Sequence, residues 1–288
     1  MRKWLGGSFK RGILRGMELR ALTWNLFHGR DFPPDPSLFT TRSRLLRIGE
    51  QNATHLQVNR DLFDEFAAIL ATASWDLALL QECPPRWSDR LARATSAQPD
   101  RVLTSRNSLA WLRALLARIN PDLIASNEGG SNLTLVRGAR LTERRELELR
   151  PGPNPERRAM AFCRAVLADD REVCIANLHA SAGRALRAEA EAEVLTAATL
   201  AAEWAGPAPL VFGGDLNLRP RETTVYETLE RDVGLAQPTA PSALDHLLVR
   251  GLEILQPPAA WPPERREVCV DRLAVRLSDH PPVEAAFG

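Results

Sequence analysis

The stretch VFGGDLNLRP, Val211 to Pro220, poses the question on which the fold depends. Its apolar start is typical of a short buried strand, and the two glycines end that strand. An acid and an amide follow two residues apart, at Asp215 and Asn217, and side chains with this spacing point to the same side of an extended chain. Their oxygens would suit a hard cation such as Mg²⁺. A plain turn is the alternative, because Gly, Asp and Asn all favour turns.

Composition is that of an ordinary globular protein. The chain has 288 residues, 44% hydrophobic and 25% charged, which is enough for one large domain or two small ones. A net charge of +1 indicates no general attraction for nucleic acid, although a local basic groove stays open. No apolar run is long enough to span a membrane.

The cysteines and the first 18 residues give information on the cellular compartment of the protein. The four cysteines are widely separated and form no C-x-x-C pair, so we expect neither a zinc site nor a disulfide framework. Residues 1–18 are basic and lack a continuous apolar core, unlike a secretory signal. We interpret them as an extension before a domain over residues 19–288, and we expect a cytoplasmic protein.

Apolar runs recur along the chain and predict many strands with a few helices between them. The predicted strands are Arg20–Leu26, Leu77–Gln81, Leu133–Val136, Ala159–Val166, Val173–Leu178, Leu210–Phe212, Leu244–Val249 and Val283–Phe287. Helical spacing predicts helices at Asp61–Ala71, Ser108–Ile119, Gly183–Trp204 and Thr223–Arg231. Proline-rich stretches predict irregular structure at Phe32–Asn59, Pro151–Pro155 and Gln256–Arg266. The succession indicates a layered α/β or α+β architecture.

Six strand boundaries carry polar side chains able to bind a metal or transfer a proton. These side chains are Asn25, Glu82, Asn177, His179, Asp215, Asn217, Asp245, His246, Asp279 and His280. One such placement is common, whereas six in succession indicate a shared site.

The order of these motifs resembles the endonuclease/exonuclease/phosphatase superfamily, the DNase-I-like fold, over Leu19 to Phe287. Its strongest elements are LQE ending at Glu82, GDLN at Gly214–Asn217 and SDH at Ser278–His280. The resemblance implies a four-layer α/β (α+β) sandwich of two packed mixed β-sheets flanked by helices. It also implies an active site at one edge, where loops from both sheets meet, and a metal-dependent hydrolase acting on phosphoester bonds.

The resemblance further implies a metal site with Mg²⁺ or Mn²⁺ as cofactor. Glu82 is the first choice of ligand because it supplies a full negative charge. Asn25 would contribute from the neighbouring strand, and Asp279 would hold a second metal or a water on the metal. A cation placed there neutralises charge at the phosphoester.

Catalytic roles follow from the same resemblance. His280 would be the general base for an attacking water, with Asp245 fixing its tautomer. Asp215 would orient water or metal, and Asn217 would donate to a phosphate oxygen. His179 would bind the phosphate or assist the leaving group, in an in-line attack without a covalent intermediate.

Several side chains have less specific interpretations. Arg158 suits phosphate contact, although a solvated loop end fits equally well. His246 falls on the opposite strand face from Asp245 and is expected to be structural. His28 is close enough to Asn25 in the chain to reach the pocket, whereas we expect His55 in solvent.

We expect the substrate to be a phosphodiester, in a nuclease-like reaction. A small-molecule or lipid phosphodiesterase or phosphomonoesterase is the alternative within the family. Phe27 stands where the abasic-endonuclease branch has an acid, and that branch lacks a histidine at the position of His179, so DNA repair is disfavoured. A catalytically silent binding module and a zinc hydrolase are weaker alternatives. We expect a monomer without an obligate protein partner.

Overall fold

Two β-sheets form the centre of the fold in a computed structural model, which describes residues 18–46, 49–105, 107, 109–120, 130–149, 158–236 and 238–288. The strands are β1 (Leu19–Asn25), β2 (Glu50–Gln51), β3 (Leu56–Gln57), β4 (Leu77–Cys83), β5 (Ala97–Ser105), β6 (Gly130–Arg137), β7 (Arg140–Glu148), β8 (Ala159–Val166), β9 (Glu172–His179), β10 (Leu210–Asp215), β11 (Asp245–Arg250), β12 (Ile254–Ala260), β13 (Glu267–Val270), β14 (Leu273–Arg276) and β15 (Val283–Phe287). The helices are α1 (Thr41–Leu46), α2 (Phe63–Thr72), α3 (Ser88–Ala94), α4 (Ala110–Ile119), α5 (Arg187–Ala205) and α6 (Val225–Thr228).

Each sheet mixes parallel and antiparallel neighbours. The first sheet has six strands in the order β12-β15-β1-β4-β6-β5, and the second has five in the order β11-β10-β9-β8-β7. Among the described strands of these two sheets, β1 pairs in parallel with β4 and β9 with β10, and the other neighbours are antiparallel. Because parallel strands end at the same edge, Asn25 and Glu82 finish together in one sheet, as do His179 and Asp215 in the other.

The two sheets pack face to face, with helices outside. Leu79, Ile175, Val211 and Val249 belong to the buried cluster between the sheets. On the outer face of the first sheet, Trp24 and Leu80 pack with side chains of α2 and α3. The alanines of α5 cover the outer face of the second sheet, where their small size allows close approach. This arrangement confirms the four-layer sandwich with mixed sheets.

Strand predictions were most accurate where the apolar run is continuous. β8 and β15 have the predicted bounds, β9 and β10 are two and three residues longer than predicted, and β11 is shifted by one residue towards the C-terminus. The more polar strands β5 and β7 were not predicted. Their charged side chains mask the apolar alternation that marks a half-buried strand.

The prediction of irregular structure at Gln256–Arg266 is wrong for its first half. β12 runs through Pro257 and Pro258 and pairs with β15 at the edge of the first sheet. Proline is tolerated there because an edge strand has neighbours on one side only. The predicted irregular segment Phe32–Asn59 also contains α1 and the short β2–β3 pair. The predicted Pro151–Pro155 loop and residues 1–17 lie outside the described residues.

All four cysteines are among the described residues, and none of them forms a disulfide. Cys83, Cys163 and Cys174 are buried in strands and Cys269 is exposed. Among the described residues, no helix is both long and apolar enough to cross a membrane.

Asp100 of β5 is a buried acid whose ionised form destabilises the folded protein. Its side chain is 8% exposed, and its Oδ2 makes no hydrogen bond to the described residues. Arg144 Nε lies 3.8 Å from Oδ1, too far for a direct hydrogen bond. Burial therefore raises the pKa of Asp100 from 3.8 to about 6, against the opposing charge of Arg144.

We expect Asp100→Asn to stabilise the fold at pH 8 but not at pH 4. Since the folded state binds the proton more tightly, stability falls as pH rises from 3.8 to about 6 and stays low above that. The substitution removes this loss, for a gain of about 1–3 kcal/mol. Urea unfolding at both pH values measures the change, with the exposed Asp232→Asn as control. An equal effect at both pH values would contradict the prediction.

Candidate active site

The strand ends of both sheets converge on one pocket. Asn25 and Glu82 come from the first sheet, whereas His179, Asp215 and Asp245 come from the second. Asp215 is the backbone partner of both His179 and Asp245 across its two neighbouring strands. The loop before β15 adds Asp279 and His280. The structure thus brings together the side chains predicted to form the site.

The double glycine of β10 is required by backbone crowding. A Cβ on Gly214 would lie 1.9 Å from the Leu178 carbonyl oxygen, and one on Gly213 would lie 2.4 Å from the His246 carbonyl oxygen. Gly214 also has φ +132°, which L residues rarely adopt. The glycines therefore let β9 and β11 close around β10 and deliver Asp215 to the pocket floor.

Asp215 is held by two hydrogen bonds and is 1% exposed. Asn25 Nδ2 donates to its Oδ2 over 2.9 Å, and the backbone N–H of Asn217 donates to its Oδ1 over 3.2 Å. Asn217 has φ +53°, a conformation that Asn tolerates better than most residues. Its Nδ2 donates to the Ala180 carbonyl oxygen over 3.1 Å, which leaves one amide N–H for another acceptor. The stretch is thus both a tight turn and part of the site.

His280 and Asp245 form a hydrogen-bonded pair. The distance from His280 Nδ1 to Asp245 Oδ2 is 2.7 Å, and His280 Nε2 lies 3.9 Å from Asp215 Oδ2. With Nδ1–H donating to the carboxylate, Nε2 is directed towards Asp215 and the pocket. Asp245 Oδ1 is buried and accepts no hydrogen bond from the described residues. The hydrogen bond to His280 therefore satisfies only one of the two carboxylate oxygens.

The loop that carries His280 is held by Ser278 of the SDH motif and by two groups that the sequence did not single out, Trp24 and Arg266. Trp24 Nε1 donates to the His280 carbonyl oxygen over 3.0 Å, and Ser278 Oγ donates to the Asn25 carbonyl oxygen over 2.6 Å. The buried Arg266 guanidinium donates to the carbonyl oxygens of Leu277 and Ser278. Arg266 lies at the end of the proline-rich segment, where sequence pattern carries no sign of this role.

His179 is buried beside two acids. Its Nε2 lies 3.5 Å from Asp215 Oδ2 and 3.9 Å from Glu82 Oε1. Burial is the main cause of its lowered pKa, and the positive charge of Arg158 lowers it further. Arg158 is therefore close enough to act on this histidine electrostatically, as its predicted place at the end of the loop before β8 allows.

Glu82 lies on a β-bulge at the end of β4. The pairing of β4 with β6 shifts register between Leu80 and Cys83, and Glu82 has φ +48°. Its Oε2 is 3.2 Å from Nε2 of His28, which the sequence had left as a possible pocket residue. Burial alone raises the pKa of Glu82, but the neighbouring histidines outweigh it and the net shift is downward.

The carboxylates of the pocket act strongly on each other and on His280. Burial and then Asp215 raise the pKa of Asp245. Asp279 keeps an exposed surface, but the protein packed around its other side and the charge of Glu82 raise its pKa. Burial alone lowers the pKa of His280, but Asp215, Asp245 and Asp279 outweigh it and raise the pKa. The pocket thus concentrates negative charge.

The donor set fits a hard divalent cation. Glu82, Asp215 and Asp279 offer carboxylate oxygens whose mutual repulsion a cation would relieve. Asn25 Oδ1 accepts from the Phe27 backbone N–H over 2.9 Å and keeps a second lone pair. Ligand atoms of Asp215, Asp245 and His280 also lie within 4.8 Å of one another, and the hydrogen bond between the last two uses only His280 Nδ1 and Asp245 Oδ2. Glu82, Asn25 and Asp279 stay the predicted ligands, and Asp215, Asp245 and His280 form a further group able to hold a cation.

Two buried polar clusters support the floor of the pocket. Gln81 Nε2 of the first sheet donates to Asn177 Oδ1 of the second over 2.8 Å. Glu193 of α5 accepts from the backbone N–H of Ser181 over 2.7 Å and from its hydroxyl over 2.9 Å. The first cluster joins the sheets directly below the site. The second fixes the chain that follows His179.

A cavity of about 580 Å³ opens beside the hydrogen-bonded pair of His280 and Asp245. Asp245, Asp279 and His280 form one wall, and Arg219, Thr239 and Ser242 add polar groups. The rest of the lining is largely apolar, with Ala240, Ala243, Leu244, Pro258, Ala259, Ala260, Pro281 and Val283. The shape leaves room for a group attached to a bound phosphate.

The other histidines have structural partners. His246 is fully buried, its Nε2 contacts the carbonyl oxygen of Leu218 at 3.1 Å, and burial lowers its pKa to about 4. This geometry matches the predicted structural role. The expectation that His55 is in solvent is wrong, because it is half-buried and its Nε2 lies 3.3 Å from Glu267 Oε1. This partner, Glu267, lies on the β13–β14 hairpin, which the sequence pattern did not predict.

Comparisons with known proteins agree with this architecture. A sequence model of the Endonuclease/Exonuclease/phosphatase family matches residues 22–280. A search of curated proteins finds no match.

Solved structures share the fold at low sequence identity. A mannosyl-6-phosphatase from Bacteroides thetaiotaomicron is 15% identical with TM-score 0.61, over 94% of this chain and 99% of that one. The human Nocturnin catalytic domain with bound sulfate is 14% identical with TM-score 0.60, over 94% of each chain. TDP2 from Caenorhabditis elegans is 17% identical with TM-score 0.58, over 95% of this chain and 75% of that one. At these identities the likeness shows the fold alone.

We expect Gly214→Ala to destabilise the protein by about 3 kcal/mol or more, because β9 must move away from the added methyl group. Gly138→Ala is the matched control. Gly138 also has positive φ, but a Cβ there meets nothing within 4 Å, so the expected cost is about 1 kcal/mol. Thermal and urea unfolding of both variants measure the difference. Equal costs would contradict the close approach of Leu178 to β10.

Proposed function

Because the chain belongs to the endonuclease/exonuclease/phosphatase family, it is a phosphoester hydrolase, and we propose that it cleaves a phosphodiester with His280 as base. The observation that carries this proposal is the 2.7 Å hydrogen bond between His280 Nδ1 and Asp245 Oδ2. It fixes the imidazole so that Nε2 faces the pocket in which the acids converge. A histidine held in this way is suited to take a proton from water.

The reaction is an in-line displacement at phosphorus. His280 Nε2 takes a proton from water, the water oxygen bonds to phosphorus, and the bond to the leaving oxygen breaks. Asp245 stabilises the imidazolium that forms. Asp215, beside both histidines, orients the water. No covalent intermediate with the protein is required.

His179 and Asn217 act on the phosphate and the leaving group. His179 is buried with a lowered pKa, so it is neutral near pH 7 and can donate one N–H to a phosphate oxygen or the leaving oxygen. The free amide N–H of Asn217 can donate to a second phosphate oxygen. Arg158, whose charge reaches His179, adds positive charge on the same side.

The cofactor in this proposal is Mg²⁺ or Mn²⁺. Glu82 and Asp279 would hold it with their carboxylates, and Asn25 with its amide oxygen. When bound, the cation supplies positive charge that offsets the carboxylates and stabilises the charge that develops on the phosphoryl group. A bound cation would offset the carboxylates that raise the pKa of His280, which would favour the neutral imidazole that a base requires.

The largely apolar cavity beside His280 favours one alternative within the family. A small-molecule or lipid phosphodiester carries an apolar group that fits this lining, whereas the chain's net charge of +1 provides little general attraction for DNA. We therefore keep this alternative beside the nuclease-like reaction.

We expect His280→Ala to lower kcat by about a hundredfold or more and Asp245→Asn to lower it strongly. Hydrolysis of bis(p-nitrophenyl) phosphate in Mg²⁺ is the assay, with plasmid nicking and p-nitrophenyl phosphate run alongside. His55→Ala, outside the site, is the control and should retain activity. Full activity in His280→Ala would exclude it as the base. Cleavage of the monoester alone would exclude a phosphodiesterase.

We expect EDTA to abolish activity and Mn²⁺ to restore it. Glu82→Gln should weaken Mn²⁺ binding about tenfold or more, because it removes the charged ligand. Binding is measured by electron paramagnetic resonance of free Mn²⁺, which does not depend on turnover. The exposed Glu203→Gln is the control. Unchanged Mn²⁺ affinity in the Glu82 variant would place the cation elsewhere.

A further inference from the structure

His28 makes a contact that the proposed reaction does not use. Its Nε2 lies 3.2 Å from Oε2 of Glu82, and both side chains are half-buried. The other ring nitrogen, Nδ1, is buried and has no hydrogen-bond partner among the described residues. In the described part of the chain, the imidazole therefore makes its polar contact with this carboxylate.

The backbone that carries His28 has an unusual conformation. Phe27 and His28 follow β1 directly, and their φ angles are +49° and +54°. Residues other than glycine rarely adopt such values, because the side chain then crowds the backbone. Surrounding contacts must hold a conformation of this kind in place, and it is commonest where a side chain has a functional direction.

Two contacts hold this turn. The Phe27 backbone N–H donates to Asn25 Oδ1 over 2.9 Å, which ties the turn to the end of β1. A Cβ on Gly29 would lie 2.2 Å from the ring of Trp87, so the backbone of the turn packs directly on that buried side chain. These contacts determine where the His28 side chain points.

Glu82 is oriented from its own side of the contact as well. It occupies the β-bulge at the end of β4 and has φ +48°. Its Oε2 faces His28, whereas its Oε1 lies 3.9 Å from Nε2 of His179, the histidine beside Asp215. The two carboxylate oxygens thus have different neighbours, and Oε1 is the one on the side of the pocket.

We propose that His28 is a positioning residue that holds Oε2 of Glu82 and thereby turns Oε1 into the pocket to bind the divalent cation. A proton on Nε2 lets the imidazole donate to Oε2, which restricts rotation of the carboxylate. Partners of this kind behind a ligating group typically contribute about 10–100-fold to metal affinity. The inference rests on the proposed function, in which Glu82 is a metal ligand.

Direct binding of the cation by His28 fits the geometry less well. Nε2 already faces a carboxylate oxygen 3.2 Å away, and a ring nitrogen that carries a proton there has no lone pair for a metal. Mg²⁺ also prefers oxygen ligands to nitrogen. The contact is therefore better suited to orient Glu82 than to replace it.

A second histidine–glutamate pair in the protein shows what a purely structural contact looks like. His55 Nε2 lies 3.3 Å from Glu267 Oε1, and both groups have further partners. Thr54 Oγ1 lies 2.9 Å from His55 Nδ1, and Arg276 Nε donates to Glu267 Oε1 over 2.7 Å. The contact of His28 has no such surrounding network among the described residues, and its acid faces the pocket.

The Mn²⁺ affinity of the full chain, measured by electron paramagnetic resonance of free Mn²⁺, tests this role. We expect His28→Asn to weaken binding about tenfold, because Asn tolerates the backbone conformation but its amide ends at the position of Nδ1, too far from Glu82. His28→Ala, which has no donor, should behave in the same way. His28→Gln places an amide N–H near the position of Nε2 and should bind within about threefold of the wild type.

His55→Ala is the matched control, since it breaks a half-buried histidine–glutamate pair outside the site. It should bind Mn²⁺ as the wild type does. Urea unfolding of each variant checks that a loss of binding is not a loss of the fold.

A Glu82→Ala background separates positioning from independent ligation. If His28 acts through Glu82, adding His28→Asn to that background should weaken Mn²⁺ binding by less than about twofold, because two changes to one interaction are not additive. A further tenfold loss would make His28 a ligand in its own right and overturn the proposal.

Two other results would overturn the proposal and leave the metal site at Glu82 in place. One is unchanged Mn²⁺ affinity in His28→Asn, and the other is an equal loss in His28→Asn and His28→Gln. Unchanged affinity in Glu82→Ala would instead count against the cation placement in the proposed function, and the positioning role would fall with it.

Discussion

The hydrogen bond from Asn25 to Asp215 joins the two sheets at the floor of the pocket, and the rest of the site is arranged around it. Asn25 ends a strand of one sheet and Asp215 ends a strand of the other, so their 2.9 Å contact requires both strand ends to reach the same edge. The buried Gln81–Asn177 contact repeats this connection one layer below. Buried polar groups must be paired, so these contacts restrict how one sheet can slide over the other.

Electrostatic crowding is the second property of the site. Four acids from both sheets and the loop before β15 act on two histidines, whose pKa values move in opposite directions. Burial lowers the pKa of His179, whereas three carboxylates outweigh burial at His280 and raise it. Such divergence between two neighbouring groups is what assigns different protonation states at one pH. It also explains why a divalent cation belongs in the proposed chemistry.

The molecule combines this charged floor with a largely apolar cavity beside it. The cavity beside His280 is lined by Asp245 and Asp279 together with alanine, proline, leucine and valine side chains. A site with a charged floor and a neighbouring apolar cavity would suit the proposed phosphodiester substrate, which is part polar and part apolar. The fold allows this combination because loops at one edge can vary while the strand ends hold most of the converging polar groups.

The sequence by itself determined the family, the strands with continuous apolar runs and the polar residues at their ends. These features are local, since strand periodicity and short motifs such as GDLN and SDH are written in adjacent residues. Only the tertiary structure decided that Gly214 is required by the Leu178 carbonyl, that Arg266 holds the loop of His280, and that proline-containing Gln256–Ala260 is an edge strand. Each of these depends on partners distant in the chain, whose approach is set by packing of the two sheets and has no signature in the neighbouring sequence.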